Sequence, residues 1–161
     1  MRFFGVAAIA GGVLRVANSF TTGSLSPDVL AAIYFVTDAL LLLGIAGIYW
    51  SQKARVGIAG LIGTIIFAFG IAAIRVSAFT SSGTNSYQLG AAIALVGLGV
   101  LSGAVLLRRD RTDAAAILWL AALLFAVAGA LGVMTVIMTI AAGVAFGAGF
   151  IMAGRRILLA T

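Results

Sequence analysis

The sequence contains no cysteine, no histidine, a single proline and only four acidic residues among 161. Without thiol or imidazole there can be no disulfide, no Cys nucleophile, no Cys/His zinc site, no His-ligated haem and no Ser-His-Asp triad. Four acids also leave little for a metal-dependent membrane enzyme acting on lipid or isoprenoid. No enzymatic activity, catalytic residue, metal or cofactor is therefore expected, apart from bound lipid. Charge is scarce as well: 9% of residues are charged, where a soluble domain carries about 25%. Most of the surface must then face something other than water, and lipid is the obvious medium.

What is present is apolar: 63% of the residues are hydrophobic and the mean hydropathy is +1.25. The apolar stretches predict spans over about 3–17, 29–50, 56–79 and 89–107, separated by short polar breaks. From Ala114 to Ala153 no charge occurs. As one helix this stretch would run to about 60 Å, twice the thickness of a bilayer core. It must fold back, and Gly129 to Thr135 offers the residues for a tight turn, giving spans 114–131 and 134–153. Ser26-Pro27-Asp28 reads as a cap, first-turn proline and first-turn acid, and Thr112 or Asp113 can cap the fifth span. Tyr49, Trp50 and Tyr87 stand where an aromatic belt belongs. The opening Met1-Arg2-Phe3-Phe4 resembles a signal peptide, but Arg15 interrupts the stretch before any cleavage site, so it reads as a retained first helix.

Charge placement tests the count independently. With six spans, Arg2, Lys53, Arg55, Arg108, Arg109, Arg111, Arg155 and Arg156 share one side, whereas five spans strand the last two. The positive-inside rule then predicts cytoplasmic N- and C-termini in a plasma (inner) membrane. These loop cations serve topology and anionic headgroups; the loops are too short for a nucleic-acid site. The expected fold is all-α, one polytopic membrane domain forming a six-helix bundle.

An internal echo suggests how the bundle is built. Arg15-Val16, Phe20-Thr21 and Thr22-Gly23-Ser24 recur as Arg75-Val76, Phe79-Thr80 and Ser82-Gly83-Thr84. The repeat unit would be a two-helix hairpin, over about 1–55 and 56–111, with 112–161 a possible third copy. Copies of two spans each run parallel to one another, related by an axis along the membrane normal. A plan of three two-helix units is similar to that of the mitochondrial carriers, but their Pro-x-Asp/Glu-x-x-Lys/Arg motif is missing, so the similarity ends with the plan.

Asp38, near the middle of the second span, is the most informative residue. A carboxylate there should be paired, protonated or beside water. Arg15 and Arg75 are its available partners, and Tyr34 lies one turn away. Side chains lean toward the N-terminus of their helix, so Asp38 and Arg75, on oppositely directed spans, converge. This polar group is either a midplane substrate, proton or ion site or a structural pair.

Twenty-one glycines suggest close helix packing, with Gly57, Gly60 and Gly63 on one face and Gly99/Gly103 and Gly143/Gly147 as Gly-x-x-x-Gly pairs. Met134, Met138, Met152, Phe146 and Phe150 read as packing residues. Three functions fit: a structural or accessory subunit of a membrane complex or a self-associating bundle; a small transporter or channel using Asp38, Arg75 and Arg15; or a lipid- or pigment-binding subunit. The expected partners are the bilayer and other membrane subunits or further copies of the chain.

Overall fold

The structure is a computed structural model that describes residues 1–21, 26–79, 83–107 and 113–160, with 77–79 and 83–86 described in backbone only. Among the described residues the chain is all-helical and has no strand. It runs through α1 (Arg2–Asn18), α2 (Pro27–Phe79), α3 (Gly83–Leu106), α4 (Ala114–Ala130) and α5 (Thr135–Leu159). Three stretches are long and apolar enough to cross a membrane: Pro27–Val76, Tyr87–Leu106 and Thr135–Leu159. Their length and composition point to a membrane protein.

At 53 residues, α2 is not one straight helix but two helical arms joined at a kink. Gly57 interrupts it with φ 56° and ψ −146°, a backbone conformation essentially reserved for glycine. The arms 27–56 and 58–79 fold against each other there. The proof is an ion pair between Asp38 and Arg75. In a straight helix, residues 37 apart would be about 55 Å distant. Asp38 precedes Gly57 by about as many residues as Arg75 follows it, so an antiparallel hairpin brings both to one level.

This corrects two expectations. Ser51 to Arg55, read as a polar break, is helical, because a helix tolerates polar residues where they reach water; Lys53 settles over the Trp50 ring, 3.9 Å from its centroid. Gly57 is a turn residue rather than a packing residue: a methyl added there would meet nothing within 4 Å. Two boundaries also move outward, since α3 begins at Gly83 and α5 continues to Leu159. Pro27 opens α2 as expected, with the Leu30 N–H donating to the Ser26 carbonyl at 3.0 Å.

The turn between α4 and α5 falls inside the expected 129–135. Gly132, at φ 84°, donates to the Gly129 carbonyl and Val133 to that of Ala128. This is a Schellman cap, which satisfies the helix's last carbonyls with a left-handed glycine just past its end. Met134 follows at φ 40°, so this methionine makes the turn instead of filling the core.

Close contacts give the packing order. Gly44 lies on Ala8 and Gly11 on Leu40 and Leu41, so α1 runs antiparallel to the first arm of α2. Gly63 and Gly97 meet across the second arm and α3, where a methyl on either would sit 2.7 Å from the other's carbonyl oxygen. Gly12 and Gly147 do the same across α1 and α5 at 2.5 Å. Trp119 against Gly149 sets α4 antiparallel to α5, and Gly99 against Leu123 sets α3 on α4. The elements thus form a closed ring in which each lies against its sequence neighbours and α5 returns to α1. Small residues permit this closeness where lipid supplies no hydrophobic drive between helices. Inside the ring, Phe67, Phe146, Phe150 and Trp119 form a connected aromatic column, with centroids 5.2–6.1 Å apart.

Candidate functional site

Polar side chains are few enough that their meeting places can be followed one by one. The main cluster lies where the end of α1 meets both arms of α2 and α5. Nε and Nη2 of Arg75 both donate to Oδ2 of Asp38. The side chains keep 23% and 15% of their surface exposed. One residue before Asp38, the buried Thr37 hydroxyl donates to the Ile33 carbonyl at 2.7 Å and accepts from the Asn18 side-chain amide at 3.3 Å. The α1 terminus is thereby tied to the same turn of α2 that carries the carboxylate.

Arg15 is near enough to Asp38 to act on its charge but does not bond to it. Its guanidinium lies over the Phe146 ring, 5.7 Å from the centroid. A cation over an aromatic face is attracted by the ring quadrupole, by about 0.5–2 kcal/mol depending on desolvation. Of the two expected partners, Asp38 therefore takes Arg75, and Arg15 caps the aromatic column. Tyr34 is half-buried, and among the described residues it makes no hydrogen bond to Asp38 or Arg75. Ser19 completes the junction: its hydroxyl donates to the Arg15 carbonyl at 3.0 Å and its side chain fills the notch left by Gly143.

A second ion pair closes the opposite end of the ring. Asp113 Oδ1 accepts the backbone N–H groups of Ala115 at 3.0 Å and Ala116 at 3.4 Å, capping α4, while Oδ2 accepts from Nη1 of Arg156 in the last turn of α5. The sequence reading identified the cap but not the arginine. At the level of sequence the end arginines carry only a topology signal, and nothing local shows that Arg156 returns to Asp113. Lys53, Arg55 and Arg155 are exposed near that same end. Arg108, Arg109, Arg111 and Thr112 lie outside the described residues, as does much of the proposed repeat loop.

The packing glycines divide three ways. Gly63, Gly99, Gly143 and Gly147 each touch a neighbouring helix. Gly60 makes room mainly for Val56 across the Gly57 turn, and Gly103 has open space beside it. Phe146 and Phe150 are buried, while Met134 and Met152 are exposed. Tyr49 packs toward the core, unlike exposed Trp50 and Tyr87. On the outer face of α4 and α5 lies an apolar groove of about 450 Å³, lined by residues that include Leu118, Phe125, Ala141 and Ala148.

The described residues hold no group of three or more acidic side chains placed to bind a metal. Chemically, the main cluster can hold helices together or meet a small charged guest. No protein family model, curated protein or solved structure matches this chain.

Proposed function

We propose that the chain is a six-span integral membrane protein with both termini cytoplasmic, and that its role is structural: an accessory subunit packed in a larger membrane assembly, or a self-associating bundle. Counting the two arms of α2 separately, six helical segments follow one another in alternating direction. Arg2, Lys53, Arg55, Arg155 and Arg156 gather at one end of that alternation, the arrangement the positive-inside rule assigns to the cytoplasmic face. The first and second hairpins, α1 with the first arm of α2 and the second arm with α3, would be the repeat unit. Arg15 and Arg75 stand at corresponding places in them but have taken different partners.

One observation carries the structural reading. The Asp38 carboxylate and the Arg75 guanidinium satisfy each other across the two arms of α2. A charge alone in the bilayer costs several kcal/mol, so this mutual pairing serves to fix the fold-back of the chain and leaves neither group free for cargo. The outer surface is apolar, with Ile58, Phe69, Leu124 and Val136 among its exposed side chains, as a subunit surrounded by lipid and other helices requires.

A transporter is the second reading, favoured by Arg15. Three charged groups share one level, and Arg15 has an aromatic ring rather than a carboxylate beneath it. Such a cluster has a net positive charge that an anionic solute could meet. Extraction of the tagged chain in mild detergent, with wild-type and Asp38→Asn compared, separates the two. The structural role predicts co-purification with stoichiometric partners or further copies, reduced in the variant. Unchanged assembly of Asp38→Asn, with loss of a solute flux in proteoliposomes, would establish the transporter instead.

A further inference from the structure

The outer groove between α4 and α5 has a feature that plain lipid-facing surface lacks: a charge at its end. Ala141, Ala148 and Arg155 recur at intervals of seven residues along α5. Seven residues are nearly two full turns, with a drift of only about 20°, so the three share one stripe. The groove occupies the upper part of that stripe, with Leu118 and Phe125 of α4 forming its other wall. Arg155 is exposed, and among the described residues no carboxylate pairs with it. Its neighbour Arg156 is held by Asp113. Because side chains lean toward their helix N-terminus, Arg155 leans toward the groove.

We propose that this stripe is a binding site for one anionic glycerophospholipid, its phosphate on Arg155 and one acyl chain in the α4–α5 groove. The proposal rests on the membrane-spanning reading above. From Arg155 to Ala141 the stripe rises about 21 Å, deeper than the ~15 Å half-thickness of a bilayer core. A chain that fills the groove therefore lies extended along α5, ordered against alanines that leave room for it. The basic end of the bundle places the headgroup in the cytoplasmic leaflet, where an anionic phosphate meets an arginine that is not already neutralised.

The test uses the full chain in nanodiscs made from equal parts phosphatidylglycerol and phosphatidylcholine, with retained lipid counted by native mass spectrometry after release into detergent. The wild-type chain should retain one phospholipid with about a fivefold preference for phosphatidylglycerol, the factor one basic residue contributes at an anionic surface. Arg155→Gln should abolish the preference while an acyl chain is still retained. Ala148→Phe, which fills the groove from a half-buried outward position, should lose the retained lipid of either kind. A preference unchanged in Arg155→Gln, or retention unchanged in Ala148→Phe, overturns the site. Release of the wild-type chain from membranes by alkaline carbonate would overturn the membrane-spanning reading as well, whereas a carbonate-resistant chain that keeps no phospholipid overturns the lipid site alone.

Discussion

Replacing Gly57 by alanine isolates the backbone geometry on which the fold-back of α2 depends. The added methyl would have open space, with nothing within 4 Å, so no clash contributes. The cost is conformational: at φ 56° and ψ −146° a side-chain-bearing residue sits in a glycine-only region, which costs about 1–3 kcal/mol. Reduced freedom of the unfolded chain offsets about 0.4–1 kcal/mol of this. Gly103→Ala makes the same chemical change inside α3, also beside open space but in ordinary helical backbone. There alanine should stabilise by about 0.5–1 kcal/mol. The two variants should therefore differ by about 2 kcal/mol, roughly thirtyfold in the unfolding equilibrium. The assay is reversible unfolding in mixed detergent micelles, followed by helical circular dichroism and by the fluorescence of Trp119, which is 2% exposed against Phe150. Equal stabilities for Gly57→Ala and Gly103→Ala would refute the glycine-specific turn.

Three further outcomes follow from the same contacts and can be read in the same unfolding assay. Asp113→Ala should cost about 1–2 kcal/mol, because it removes the cap on α4; Asp113→Asn, which keeps a capping oxygen but loses the charge toward half-exposed Arg156, should cost less than 1 kcal/mol, and equal losses would show that the ion pair rather than the cap matters. Gly97→Ala should destabilise by about 1–3 kcal/mol, since its methyl would press on backbone atoms of Phe67 and Gly63 that cannot swing aside; a neutral result would mean that α2 and α3 stand further apart. Met134→Gly should stabilise by up to about 1 kcal/mol by relieving a left-handed residue, and a loss of stability would contradict the turn geometry.

Much of this fold was legible in composition and periodicity, and the failures have physical causes. The turn near Gly132 could be placed because a charge-free run too long for one crossing has to reverse. The Gly57 turn could not. Ser51 to Arg55 carries the polar residues that normally mark a break, yet nothing prevents a helix from continuing through them into water, and one glycine among 21 bears no local sign of its φ. The Asp38–Arg75 pair follows from the opposing lean of side chains on antiparallel helices, a rule that does not depend on which residue makes the turn. Arg15 was harder. Its partner, Phe146, lies at the far end of the sequence and becomes a neighbour only when α5 closes the ring onto α1. The Arg156–Asp113 pair was hidden for a similar reason, since only the full lengths of α4 and α5 bring those ends together. Among the glycines, spacing alone could not separate Gly99, which meets Leu123, from Gly103 one turn away, which meets nothing.

The central claim is that Asp38 and Arg75 form one structural unit locking the two arms of α2, and a double-mutant cycle on unfolding tests it directly. Arg75→Met leaves a part-buried carboxylate unpaired and should cost up to about 3–5 kcal/mol, the range for a fully buried pair; Asp38→Leu should cost a comparable amount by leaving the arginine unpaired. The double variant replaces the pair with apolar groups of similar length, and it should lie within about 1 kcal/mol of the wild-type chain. Single variants that unfold like wild type, or a double variant whose loss equals the sum of the two, would contradict the account.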